Sequence, residues 1–324
     1  MEEVLKMIKN KMKDLREAYG LSLVKLAKKE KRIVVLDADV ARPTGIHIFA
    51  EKFPERFFEM GVAEQNMIGV AAGLASCGFI PFPTTLGVFA SKRAHDQVSI
   101  CVAYSNLNVK VVGSYSGLTS FDAGATHQAI DDIASMRAMP NMTIVVPADA
   151  IEVEKAVFAI AKKPGPVYLR IAKYKPPMIF NRDYQFRLGQ AVVLREGLDI
   201  TLIGTGIMTS KCLRAAVLLQ KDKIEATVLH VHTIKPIDAP KIIEAAKKTR
   251  VVVTAENHSI IGGLGSAVSE VLGENEPCII QRIGIKDSFG ESAEDEESLF
   301  KKYGLTTGDI VEISKKVLRF KERR

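Results

Sequence analysis

Two hydrophobic rhythms alternate along the chain. Short β-branched runs give way to stretches in which apolar residues recur every three to four positions, the marks of buried strands and amphipathic helices. The runs at 33–37, 109–113, 143–146 and 167–171 read as strands, and those at 191–194, 200–203, 226–231, 251–255 and 278–283 as a second set. Helices are expected at 62–77, 90–104, 150–162, 210–221 and 239–248. This alternation predicts an α/β fold of parallel sheets with helices on both faces. Pro176-Pro177 and polar neighbours break it at 174–188, read as a linker between a domain over 1–180 and a smaller, mostly parallel α/β domain over 189–324. The first 29 residues read as one helix with Val4, Leu5, Ile8 and Met12 on a common face.

A chain of 324 residues can hold two cores of this kind. Its 47% hydrophobic and 26% charged content is that of a soluble globular protein. The longest apolar runs, such as 68–75, are too short and glycine-broken to span a bilayer, so no membrane partner is expected. The first residues lack an apolar h-region and a cleavage site, which points to the cytoplasm. The net charge of +7 sits at the ends, +5 over 1–32 and +5 over 315–324, leaving a body of −3. With no tryptophan and 6% aromatic residues, this is not the clustered basic surface that nucleic acid requires. The four cysteines form no CxxC pair, so neither a zinc site nor a disulfide framework is expected. His230-Val231-His232 places two imidazoles on one strand face without a third ligand and reads as packing rather than metal binding. Gly204-Thr205-Gly206 follows a strand, but Thr209 stands where a dinucleotide loop has its third glycine.

The segment richest in chemistry is Phe57-Phe58-Glu59-Met60-Gly61-Val62-Ala63-Glu64-Gln65-Asn66-Met67. A short apolar strand meets a glycine and enters a long helix, nearly free of charge, with Glu64 in its first turn. Acids are favoured there by the helix dipole, which is one account of Glu64. The uncharged helix it heads must be buried on all sides or against another subunit, so a functional buried acid is the other.

This segment resembles that of transketolases, and an ordered set of further motifs carries the resemblance over residues 16 to about 315. Thr84-Thr85-Leu86-Gly87-Val88-Phe89 and Arg93-Ala94-His95-Asp96-Gln97 follow it, then Ser116-Gly117-Leu118, Gly124-Ala125-Thr126-His127-Gln128 and Pro140-Asn141-Met142. Later come Ile234-Lys235-Pro236-Ile237-Asp238 and Glu256-Asn257-His258 with Gly262-Gly263-Leu264-Gly265. The resemblance implies a pyrimidine-binding domain and a C-terminal domain of a thiamine diphosphate enzyme. It assigns the carboxyl that activates the aminopyrimidine to Glu64, and the ring stacked on that pyrimidine to Phe89, which by itself reads as a core Phe. It places Asp39 near the thiazolium, though a loop Asp after a strand is also a common cap. His127, after a glycine turn and opening the next helix, would bond a substrate hydroxyl and move its proton; a surface loop histidine is the plainer account. Arg16 matches an arginine that binds sugar phosphate, though it also suits a helix surface.

No Gly-Asp-Gly occurs in the chain, so the resemblance implies that Mg²⁺ and the diphosphate are held by an N-terminal partner subunit. A heterotetramer with two copies of each chain is expected, acting on sugars or sugar phosphates. The chain departs from the family at the acceptor end. Asp122-Ala123-Gly124 stands for Glu-Asp-Gly, displacing a carboxylate to Asp122; Tyr115 replaces a histidine; and Lys173 aligns with a phosphate-binding arginine, with Arg170 nearby as a substitute. Two alternatives are the β subunit of a 2-oxo acid dehydrogenase E1 component, and a non-catalytic subunit of transketolase type.

Overall fold

The computed structural model describes residues 9–322. In chain order its strands are β1 (Lys9–Met12), β2 (Ile33–Asp37), β3 (Phe57–Glu59), β4 (Ile80–Leu86), β5 (Lys110–Ser114), β6 (Thr143–Val145) and β7 (Val167–Arg170). There follow β8 (Pro177–Met178), β9 (Val192–Arg195), β10 (Ile200–Gly204), β11 (Ala226–His230), β12 (Thr233–Lys235), β13 (Val251–Ser259) and β14 (Ile279–Ile285). A seven-stranded sheet has the order β12-β6-β7-β5-β4-β2-β3, and a five-stranded sheet the order β14-β13-β10-β11-β9. The first is parallel except for β12, the second except for β9.

The β-branched runs form these strands because both faces are covered, so no position need be polar. β2 is buried at every residue, with Ile33 and Val35 in one apolar layer and Val34 and Leu36 in the other. The first layer takes Leu23 of the helix Leu15–Ala27 and Val157 of the helix Ala150–Lys162; the second takes Met67 and Ala71 of the helix Glu64–Ser76. Both layers run on into the second sheet, through Leu202 and Val228 on one side and Ile203 and Leu229 on the other.

Two expectations are corrected. Residues 1–29 are not one helix: β1 pairs antiparallel with β8, and the helix starts at Leu15, where the Asp14 side chain accepts the Arg16 backbone N–H. Val4, Leu5 and Ile8 lie outside the described residues. The stretch 90–104 is not one α-helix; π-helical turns at Phe89–Arg93 and Val98–Tyr104 flank a short α turn. The linker stretch 174–188 is anchored to the first sheet's side, because Asp149 Oδ2 accepts the backbone N–H groups of Ile179 and Phe180, 2.7 Å each.

A strand absent from the sequence reading joins the two halves. β12 leaves the second sheet's connection and pairs with β6 at the edge of the first. His230 is buried between Glu152 Oε2, 2.8 Å, and Thr209 Oγ1, 2.7 Å, a packing role that leaves no ring nitrogen free. The carboxylate of Glu256 accepts the backbone N–H groups of Leu264 and Gly265, so the glycine run there seats a helix N-terminus on an internal acid. Among the described residues no helix is long and apolar enough to cross a membrane.

Candidate active site

Parallel sheets gather loops at the carboxyl ends of their strands, and the candidate residues collect there. Asp39 follows β2, Glu64 follows β3, Phe89 follows β4, Tyr115 follows β5 and Lys173 follows β7. Asp122 and His127 lie in the long connection after β5.

Glu64 opens its helix with the carboxylate 1% exposed. Both its oxygens accept from Arg93 Nη1, 3.0 Å each. The guanidinium carbon of Arg93 also stands 4.4 Å from the centroid of the Phe89 ring. A π turn explains this pairing: the Ala94 N–H reaches back five residues to Phe89 O, and the wider turn sets Phe89 beside Arg93. His127 also meets Phe89 edge to face, 5.3 Å between centroids. Its Nδ1 pairs with Thr126 Oγ1 at 2.9 Å, which leaves Nε2 for another partner. His127 sits in a short 3-10 turn, Ala125–His127, and the next α-helix begins at Asp132; it is therefore not at a helix N-terminus as the pattern suggested.

Asp39 is exposed, with φ 59°, and its backbone N–H donates to Glu59 Oε1 at 2.9 Å. The same oxygen accepts from Gly61, so Glu59 pins the loop that carries Asp39 to the turn that leads to Glu64. Beneath it lies Asp37, missed by the sequence reading. Burial first, and then its hydrogen bond with Glu59, push the Asp37 carboxyl up to about 8. Burial works against Glu59 in the same way, yet the bond from Asp37 and three backbone N–H groups hold it below its ordinary value.

A second group of residues centres on Tyr115. Its ring lies between two cations, the Arg16 guanidinium 5.2 Å and the Lys173 ammonium 5.1 Å from its centroid. Arg16 Nη1 donates to the Tyr115 hydroxyl at 2.9 Å, so the hydroxyl proton is free to point elsewhere. Asp14 braces Arg16 from behind, Nη2 to Oδ2 2.7 Å. Lys173 Nζ binds Asp122 Oδ2 at 2.7 Å, and this bond first, then the charge of Lys173, keeps the Asp122 carboxyl below its ordinary value. Phe89 and Tyr115 pack on one small cluster, Leu86, Val88 and Ala129, which joins the two groups of residues. Arg170 is no substitute for a phosphate ligand. It is buried, with Nε on Asp132 at 2.8 Å and Nη2 on the carbonyls of Ala129 and Asn257, because strand alternation turns it inward.

Residues 11–177 match the family model described as the transketolase pyrimidine binding domain, and residues 189–310 match the transketolase C-terminal domain. The chain belongs to the transketolase family. It is similar to a 6-deoxy-6-sulfo-D-fructose transketolase subunit of Clostridium sp. (strain MSTE9), 45% identical over 310 residues and 96% of both chains. It is also similar to an apulose-4-phosphate transketolase subunit of Phocaeicola vulgatus, 37% identical over 91% of this chain and 95% of that one. A solved split gene transketolase, described as an inactive beta4 tetramer, superposes with a TM-score of 0.89 at 47% identity, covering 94% of this chain and 98% of that one. Family membership implies dependence on thiamine diphosphate, and the donor set suits its pyrimidine. A buried carboxylate and an aromatic face converge on one spot, already filled by the planar, N–H-bearing guanidinium of Arg93. Among the described residues no group of three or more His, Cys, Asp or Glu is arranged to hold a metal.

Proposed function

We propose that this chain is the C-terminal subunit of a split transketolase that moves a two-carbon ketol unit from a ketose to an aldose. The observation that carries the reading is the buried Glu64 carboxylate beside the Phe89 ring, in a chain of this family with no Gly-Asp-Gly. Thiamine diphosphate, when bound, supplies the nucleophilic carbon that opens the ketose carbon–carbon bond. Glu64 holds a proton at its carboxyl against the ring nitrogen of the aminopyrimidine, and Phe89 orients that ring by stacking. Asp39 sits toward the thiazolium side. His127, its Nδ1 engaged by Thr126, gives and takes a proton at a substrate hydroxyl through Nε2. Arg16, Lys173 and the Tyr115 hydroxyl anchor the anionic end of the sugar, phosphate or sulfonate, and Asp122 sets the position of Lys173.

The partner is an N-terminal subunit carrying the diphosphate and Mg²⁺ ligands, in a heterotetramer with two copies of each chain. The helix headed by Glu64 supports such an assembly. It is buried on one side only, and Gly69 and Gly73 on its other side have nothing within 4 Å of an added Cβ. Val62 at its start is 70% exposed. In the assembled complex, Glu64→Gln is expected to cut turnover by about 100-fold or more, while sedimentation shows the same assembly. Near-normal turnover in that variant would remove Glu64 from the chemistry and with it the basis of this reading.

A further inference from the structure

Arg93 is the residue of this site to which no role has been given. It is half-exposed, at 46%, yet its guanidinium covers the buried Glu64 carboxylate and the Phe89 ring together. Among the described residues Glu64 is its only ion-pair partner. A guanidinium and an aminopyrimidine share the properties this spot selects: both are flat, both stack on an aromatic face, and both can share an in-plane proton with the Glu64 carboxyl, the guanidinium through its N–H and the pyrimidine through a ring nitrogen. The two cannot be there at once.

We propose that Arg93 is a displaceable internal occupant of the pyrimidine site, holding Glu64 and Phe89 until the cofactor ring exchanges with it. The proposal rests on reading Glu64 and Phe89 as the pyrimidine-binding residues. Its physical reason is the cost of an uncompensated buried charge: without a partner, Glu64 would turn away or draw in water, and the site would lose its shape. Arg93 supplies that partner from a flexible, solvent-reaching side chain, so release needs a change of side-chain rotamers and no movement of the sheet. Arg93 is thus a positioning residue in the empty chain and a competitor during loading. Affinity for the ring is lowered by the work of displacing it.

The test uses the full chain and the isolated pyrimidine, 4-amino-5-hydroxymethyl-2-methylpyrimidine, titrated by calorimetry or ligand-observed NMR. Arg93→Ala should bind the pyrimidine about tenfold tighter than the parent chain. Arg93→Lys, which keeps the charge but loses the flat fork, should fall between them. Guanidinium ion at a non-denaturing concentration should weaken binding to Arg93→Ala more than equal sodium chloride does, by refilling the vacated position. Equal or weaker binding in Arg93→Ala, or no specific competition by guanidinium, would overturn the proposal and leave the pyrimidine site standing. Adding Glu64→Gln to Arg93→Ala should abolish binding. If binding is unchanged by Glu64→Gln, or if none of these chains binds the pyrimidine, the underlying reading of the site falls and the proposal with it.

Discussion

Tyr115 is the residue whose identity bears most directly on what this chain recognises. It has φ 56°, an uncommon conformation for an aromatic residue, and that geometry sets its ring between Arg16 and Lys173. The hydroxyl accepts from Arg16, so its own proton can be given to an anion. Tyr115→Phe should therefore raise KM for a sugar with an anionic end about tenfold and leave kcat within about a factor of two, as steady-state kinetics with the partner subunit would show. A loss confined to kcat would place Tyr115 with the proton-transfer residues instead. Glu64, Phe89 and His127, which the fold brings close together, could be singled out from the sequence because the motifs that carry them are contiguous. Asp37 and Arg93 were not, since their roles depend on contacts with Glu59 and Glu64 that only folding creates.

Among the elements, the turn after β5 helps to couple the two sheets. Gly117 has φ 70°, and a Cβ built there would lie 2.3 Å from Asn257 Nδ2 on β13. The next backbone N–H, of Leu118, donates to Asn257 Oδ1 at 3.0 Å. Gly117→Ala combines left-handed strain with a clash at a buried joint, and should lower stability by about 2–4 kcal/mol in urea unfolding. Gly273→Ala is the contrasting case. It lies within the helix Leu264–Asn275 with nothing within 4 Å of an added Cβ, and should raise stability by about 0.5–1 kcal/mol. The strands and most helices were readable from periodicity, because burial on both faces leaves continuous apolar runs. The π turns were not: a widened turn keeps the same apolar spacing as an α-helix over a few residues, and here it decides that Phe89 and Arg93 touch.

At the scale of the whole molecule, the joint between the halves is polar and buried. Asp132, Tyr168 and Arg170 from one side are hydrogen-bonded together and to Asn257 O from the other, and His258 Nε2 lies 3.9 Å from Asp132 Oδ1. His258 Nδ1 pairs with Ser259 O, and Nε2 accepts the Ala134 N–H, an arrangement that suits the neutral ring. Burial pushes both His258 and His232 down to about 4. An unfolded chain takes up these protons below about pH 6.5, whereas the folded one refuses them until about 4, so acid favours unfolding across that interval. Each histidine therefore contributes a loss of up to about 1.4 kcal/mol per pH unit from pH 6.5 towards 4. The buried carboxyls of Asp37, Asp149 and Glu256, pushed up to about 8, 6 and 7, oppose that loss, so the histidine contribution is read as the difference in urea midpoints between the parent chain and His232→Asn. An unchanged pH dependence in His232→Asn would show that this ring is not held neutral by the fold. By itself, the sequence determined the α/β class and the family, because periodicity and contiguous motifs are local properties of the chain. Only the tertiary structure decided that β12 crosses to the first sheet, that Arg170 is locked inside the joint, and that Lys173 is bound to Asp122. Each of these depends on which distant groups become neighbours when the strand ends converge, and residue spacing along the chain does not encode that.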